Sequence, residues 1–151
     1  MIPPFGTEPG SEGHYQLPPG IHSATWQEVA DRFGTNDRRA EILAGLLDAL
    51  RALKAAGCRK AYIDGSFVTS KEIPDDFDGC WDDTNVDYDL VDPVLLDFAD
   101  RRAAQKKKFD GEMFVASWQA DPLGTLFLDF FQRDRNGNAK GIVLIELESL
   151  P

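Results

Sequence analysis

The sequence predicts an α/β (or α+β) fold, a small mixed β-sheet of about four strands flanked by helices. Three observations carry this. Ile42, Leu43, Leu46, Leu47, Leu50 and Leu53 recur at three- and four-residue steps, which is the stripe of an amphipathic helix. Short apolar runs bounded by glycine, at "RKAYIDG", "EMFVASW" and "GIVLIEL", have the length and boundaries of strands. Strand-like and helix-like segments interleave along the chain, the pattern of a sheet covered by helices. With 151 residues the chain has the size of one domain. Residues 1–22, rich in proline, glycine and polar side chains, predict an irregular arm, and 23–151 the domain.

Each element follows from local signals. Thr25 and Glu28 stand at capping-box spacing before Val29 and Phe33, so a short helix begins there and stops at Gly34. The leucine-rich helix starts at a cap on Thr35 or Asn36 and ends at Gly57. "RKAYIDG" is a strand with Ala61 and Ile63 on one side and Tyr62 on the other, and "DFDGCWD" is a weaker one. Asp-Pro precedes apolar patterns in "VDPVLLDFADRRAAQ" and "ADPLGTLFLDFFQ". In each, aspartate at the N-cap and proline in the first turn predict a helix, the second with Leu123, Leu126, Phe127, Phe130 and Phe131 on one face. A strand entered through Asp110-Gly111 lies between them, and a last strand around Ile142, Leu144 and Leu147 closes the chain.

Composition excludes several function classes. A net charge of −10, from 26 acidic and 16 basic residues, opposes nucleic acid as a general ligand, because that affinity rests on neutralising phosphates. No apolar run reaches the roughly 20 residues of a membrane span, and the start has no basic segment followed by an apolar one. No membrane partner and a cytoplasmic location are expected. Cys58 and Cys80 lack zinc-ligand spacing and are read as buried, reduced thiols rather than a bridge.

The chemistry concentrates in "YIDGSFVTSKEIPDDFDGCWD", residues 62–82. Gly65 and Ser66 fall where a strand ends, so their backbone N–H groups and the serine hydroxyl are placed to meet a phosphate, glycine leaving room for it. Residues 67–75 separate them from Asp76-Phe77-Asp78, where strand alternation puts both carboxylates on one face. Two adjacent acids repel unless a divalent cation lies between them. Mg²⁺ suits such a pair, since it takes hard oxygens from one or two carboxylates plus substrate phosphates. Lys71 supplies a point charge for a phosphate.

An apolar residue, Gly-Ser, a gap of nine and Asp-apolar-Asp resembles the signature of the nucleotidyltransferase superfamily, the polymerase-beta-like fold, in its minimal single-domain form. The resemblance implies a nucleotidyltransferase-like domain with Gly65 and Ser66 on the nucleotide and Asp76 and Asp78 on metal. Mg²⁺ would be its cofactor and a nucleoside triphosphate its substrate. It also implies a third carboxylate on a later strand. Glu146 in "LIELE" is preferred for its strand context, with Asp129, Asp87 and Asp89 as alternatives. Gly79 after the second aspartate and Phe67-Val68 after the serine depart from the superfamily pattern. "YIDGSFVTSK", "DFDGCWD" and "FFQRDRNGNAKGIVLIEL" further resemble an uncharacterised family of short bacterial proteins.

Plainer accounts stand beside these. Gly-Ser can be a simple strand-to-turn junction and "PDDFDGCWDD" a solvated acidic loop. Lys71 can be a surface lysine, and the basic run 101–108 the solvated end of a helix. His14 and His22 have no partners at metal-ligand spacing. Two functions follow: a metal-dependent transfer of a nucleotide to an acceptor hydroxyl, or an inactive interaction module of the same fold. The module would bind a partner protein as the regulatory or antitoxin half of a two-protein system.

Overall fold

A computed structural model describes residues 1–151. In chain order the elements are β1 (Gly20–Ala24), α1 (Trp26–Phe33), α2 (Asp37–Ala55), β2 (Lys60–Asp64), β3 (Phe77–Trp81), α3 (Ala99–Phe109), β4 (Gly111–Val115), α4 (Phe127–Phe130) and β5 (Gly141–Glu146). The sheet order is β1-β5-β2-β3-β4. β1 and β5 are parallel, as are β3 and β4, while β2 runs antiparallel to both neighbours. The α/β class and the mixed sheet are as expected, with five strands in place of about four.

The added strand is β1, whose first residues fall in the segment expected to be an irregular arm. "GIHSA" shows no clean apolar alternation because it lies at the sheet edge, where Ile21 is exposed. Its strand state comes from pairing with β5, Gly20 opposite Gly141. Elsewhere in the arm Ile2 and Leu17 are buried in the core.

Local signals suffice where helices are capped. Thr25 and Glu28 form both bonds of the capping box at α1, and Asn36 accepts from the Arg39 N–H at 2.8 Å to start α2. α2 buries Ile42, Leu46, Ala49, Leu50 and Leu53 against one face of the sheet, with Ala61, Ile63, Phe77, Met113, Val143 and Ile145. The opposite face carries Tyr62, Cys80, Phe114 and Ile142, covered by Phe127, Leu128 and Phe131. β5 is therefore buried on both faces, which removes the alternation expected there.

Both Asp-Pro segments differ from the continuous helices expected. Asp92 does cap, accepting from the Val94 N–H, but only one 3₁₀ turn follows, Pro93–Leu96. Leu95 is buried in the helix-covered core while Phe98 stacks on Phe114 across the opposite face, centroids 5.8 Å apart. The chain has to bend around the β4 edge between them. Asp100, Arg101 and Arg102 take left-handed φ values of 50°, 56° and 62° before α3 runs on. At the second pair, Asp121 accepts from the Leu123 and Thr125 N–H groups and closes a tight turn. Leu123 is left exposed, and only the single turn α4 is helical.

Within α3, Gln105 is buried and brackets Met113, accepting from its N–H at 2.8 Å and donating to its carbonyl at 3.3 Å. This occupies the free edge of β4, which an open strand would leave as a template for pairing.

Candidate functional site

Sheet register assembles the site. Asp64 on β2 lies opposite Asp78 on β3, and Asp78 opposite Glu112 on β4. With a side-chain period of two, all three point to the face opposite the α2 core, in one row across the sheet. Asp76, two residues before Asp78 and just ahead of β3, stands beside the row in the same cleft. The row floors a cleft of about 1150 Å³, and Gly65, Ser66, Lys71, Asp76 and Asp78 all line it. The structure thus brings five of the six sequence-chosen residues to one place.

Glu146 is the exception. It ends β5 opposite Lys60, at the far end of the sheet from the Asp64–Asp78 pair, and is exposed. Asp87 and Asp89 lie on a separate 3₁₀ turn outside the cleft, whereas Asp129 lines it but stands exposed on the facing segment. The residue in the third strand position is Glu112. Its signal was available: it opens "EMFVASW", already read as a strand, with an apolar residue after it. What "LIELE" offered was the same local context, and only the order β2-β3-β4 separates the two. His14, given no partner from sequence, also lines the cleft.

Gly65 is fixed by its surroundings. Its φ of 82° and ψ of −171° belong to a region essentially reserved for glycine, and a Cβ there would stand 2.5 Å from Asp78 Oδ2. The close approach seats the Asp78 carboxylate against the Gly65 backbone. Gly65→Ala should therefore cost about 2 kcal/mol or more of stability. It should also displace Asp78; urea denaturation of the variant checks the first effect, and a loss under about 0.5 kcal/mol would refute it.

The loop after Ser66 is held from behind. Arg39 is buried, and its guanidinium donates to the carbonyls of Phe33 (3.1 Å), Phe67 (2.7 Å), Thr69 (2.8 Å) and Lys71 (2.6 Å). Arg38 forks onto Asp110 at 2.6 and 2.9 Å and also donates to the Asp75 carbonyl. One turn of α2 thus fixes both the loop that follows Gly65-Ser66 and the approach to Asp76.

Electrostatics mark the same row. Burial, then the charges of Asp76 and Glu112, raise Asp78 well above the ordinary carboxylate range, and Glu112 lies within hydrogen-bonding reach. Asp76 is raised by burial and by Glu112. Burial also raises Asp64, opposed by Lys140, whose ammonium sits 2.8 Å from Oδ1 and 3.1 Å from Oδ2. Arg102 and Lys106 approach Glu112 at 2.8 and 3.6 Å.

A hard divalent cation matches this donor set in chemistry: carboxylate oxygens only, with mutual repulsion that a bound ion would relieve. The cage is not preformed, since no three carboxylate, imidazole or thiol groups already converge on one point. Cys58 and Cys80 are free and buried, as expected, and burial pushes the Cys58 thiol up to about 11.

Fold and site together define an α/β domain with a carboxylate-lined cleft at the end of a mixed sheet. The chain belongs to a family of unknown function, DUF6932, whose model matches residues 9–146. No curated protein and no solved structure matches it. No helix is long and apolar enough to cross a membrane.

Proposed function

We propose that this protein is a nucleotidyltransferase-like enzyme that moves a nucleotide from a nucleoside triphosphate to an acceptor hydroxyl, with Mg²⁺ as cofactor. The observation that carries the reading is the row Asp78–Glu112, with Asp76 beside it, lying against Gly65-Ser66 in one cleft. Asp76, Asp78 and Glu112 would hold the ion. When bound, it supplies neutralisation of the triphosphate and orientation of the departing pyrophosphate.

Gly65 and Ser66 line the cleft with the Asp78 carboxylate packed against Gly65, their backbone N–H groups are the ones this reading gives to a phosphate, and Lys71 adds a charge on the same loop. The acceptor oxygen forms a bond to the α-phosphorus, the bond to the bridging oxygen breaks, and pyrophosphate leaves. The hydroxyl proton passes to one of the carboxylates Asp76, Asp78 and Glu112. The buried, unbridged Cys58 and Cys80 fit a cytoplasmic setting.

Transfer from an α-labelled triphosphate, with Mg²⁺-dependent nucleotide binding followed by calorimetry, tests the reading. Folded protein with neither transfer nor metal-dependent binding sinks it.

One observation favours a second reading, an inactive module such as the regulatory or antitoxin half of a two-protein system. Glu112 is already neutralised by Arg102 and Lys106, an arrangement that serves a fold without an ion. A co-purifying partner retained after Asp76→Asn with Asp78→Asn supports the module; loss of every effect in that variant supports the enzyme.

A further inference from the structure

Asp64 is the member of the carboxylate row that the proposed chemistry leaves unused. It is 5% exposed, and it immediately precedes Gly65-Ser66. Lys140 faces it from the segment before β5, the ammonium nearly equidistant from both carboxylate oxygens. The lysine side chain is only 17% exposed, and what remains open is at the cleft.

A buried ion pair is weak evidence for stability, because the desolvation of two charges offsets their attraction. An apolar pair would fill the same volume at comparable or lower cost. What the pair does achieve is position. Asp64 stands beside the phosphate-facing turn, so it fixes the Lys140 ammonium next to Gly65-Ser66 rather than leaving it on a mobile side chain. An ammonium has three donors. Directed at one carboxylate from within the cleft, it keeps donor capacity for a second anion.

Arg133 and Arg135 line the cleft on the same segment that carries Lys140. Arg135 is paired with Glu12 at 3.1 Å, and Asp121, Asp129 and Asp134 also line the cleft, so Lys140, in contact with the row, is the cation of this segment held beside Gly65-Ser66. An anionic ligand that carries its own divalent cation brings the positive charge this acid-rich cleft needs.

We propose that Lys140, oriented by Asp64, is a polyphosphate-binding residue of the cleft, and that Asp64 is a positioning residue outside the metal-binding set. The inference rests on the nucleotidyltransferase-like reading, in that the ligand is a triphosphate presented with a divalent cation.

The decisive variant removes both members of the pair together, Asp64→Asn with Lys140→Met, so that no lone buried charge remains. The probes are inorganic tripolyphosphate and ATP, each titrated with Mg²⁺ by calorimetry. The expected result is a folded protein whose Kd rises about 10- to 100-fold for both probes alike, the loss of one charge-assisted contact. Lys140→Arg, which keeps charge and pairing, should stay within about threefold of the wild type.

Unchanged affinity in the double variant would overturn the inference, leaving Lys140 a counter-ion to Asp64 and the reading of the site intact. Binding of neither probe by the wild-type protein would overturn the reading of the site as well. Should the double variant not fold, amine acetylation of the wild-type protein decides. Mg²⁺-tripolyphosphate should slow modification of Lys140 at least about fivefold relative to exposed Lys54, and equal rates with and without the probe would refute the contact.

Discussion

Replacing Asp76 and Asp78 together by asparagine should leave the metal-free protein as stable as the wild type, or more stable by up to about 1 kcal/mol, at neutral pH. The reason lies in the direction of their shifts. Both groups are raised above the usual 3.8, Asp76 by burial and the charge of Glu112, Asp78 the further of the two by burial and the charges of Asp76 and Glu112. An acid whose folded value is raised contributes stability that is full below pH 3.8 and is lost as pH rises through the raised value. Asp64 has the same sign, its burial exceeding the opposing effect of Lys140.

The gain in the double variant should therefore be largest near neutral pH and vanish toward about pH 4, where the wild-type carboxyls are protonated too. Thermal unfolding of both proteins across that range checks it. Mg²⁺ should raise the wild-type Tm in proportion to the logarithm of its concentration above Kd and leave the variant unmoved. A variant destabilised at every pH would assign the two aspartates a structural, hydrogen-bonded role, and an equal Mg²⁺ response in both proteins would remove them from the ion site.

The largest loss of stability is expected at Arg39. Arg39→Met keeps an apolar stem in place but strands the carbonyls of Phe67, Thr69 and Lys71, which take charge-assisted bonds from the guanidinium. Each such bond contributes about 1.5–3 kcal/mol, and buried carbonyls left unpaired cost more than a bond never made. Without full additivity the variant should lose about 3 kcal/mol or more in urea denaturation. Arg39→Lys should recover little, since a single ammonium cannot span carbonyls that a planar fork reaches together. Amide exchange across residues 66–71 should accelerate in both variants, because the loop loses its anchor. A midpoint within about 1 kcal/mol of the wild type would show that the loop holds itself.

Arg39 also shows where local reading ends. In sequence it is one of two arginines in the first turn of a helix, with nothing to distinguish it from Arg38. Its burial follows from α2 packing across the 66–71 loop, a contact between segments some thirty residues apart. The capping residues Thr25, Asn36 and Asp92 were legible because the bond each makes is to a backbone group two or three positions away. The same Asp-Pro signal at 92 and 121 predicted continuous helices that form only in part, a 3₁₀ turn and then α3 after the first and the single turn α4 after the second. Burying Leu95 on one face and Phe98 on the other, and closing the turn at Asp121, outweigh helical propensity there.

By itself the sequence determined the α/β class, the caps, and the Gly65-Ser66 and Asp76/Asp78 spacing, because periodicity, capping and alternation act over a few residues. Only the tertiary structure decided that Glu112 rather than Glu146 completes the row, that Asp64 is tied to Lys140, and that β1 joins the sheet. These depend on which strands are neighbours and in what register, and strand order is set by the burial of whole faces rather than by any local run of residues.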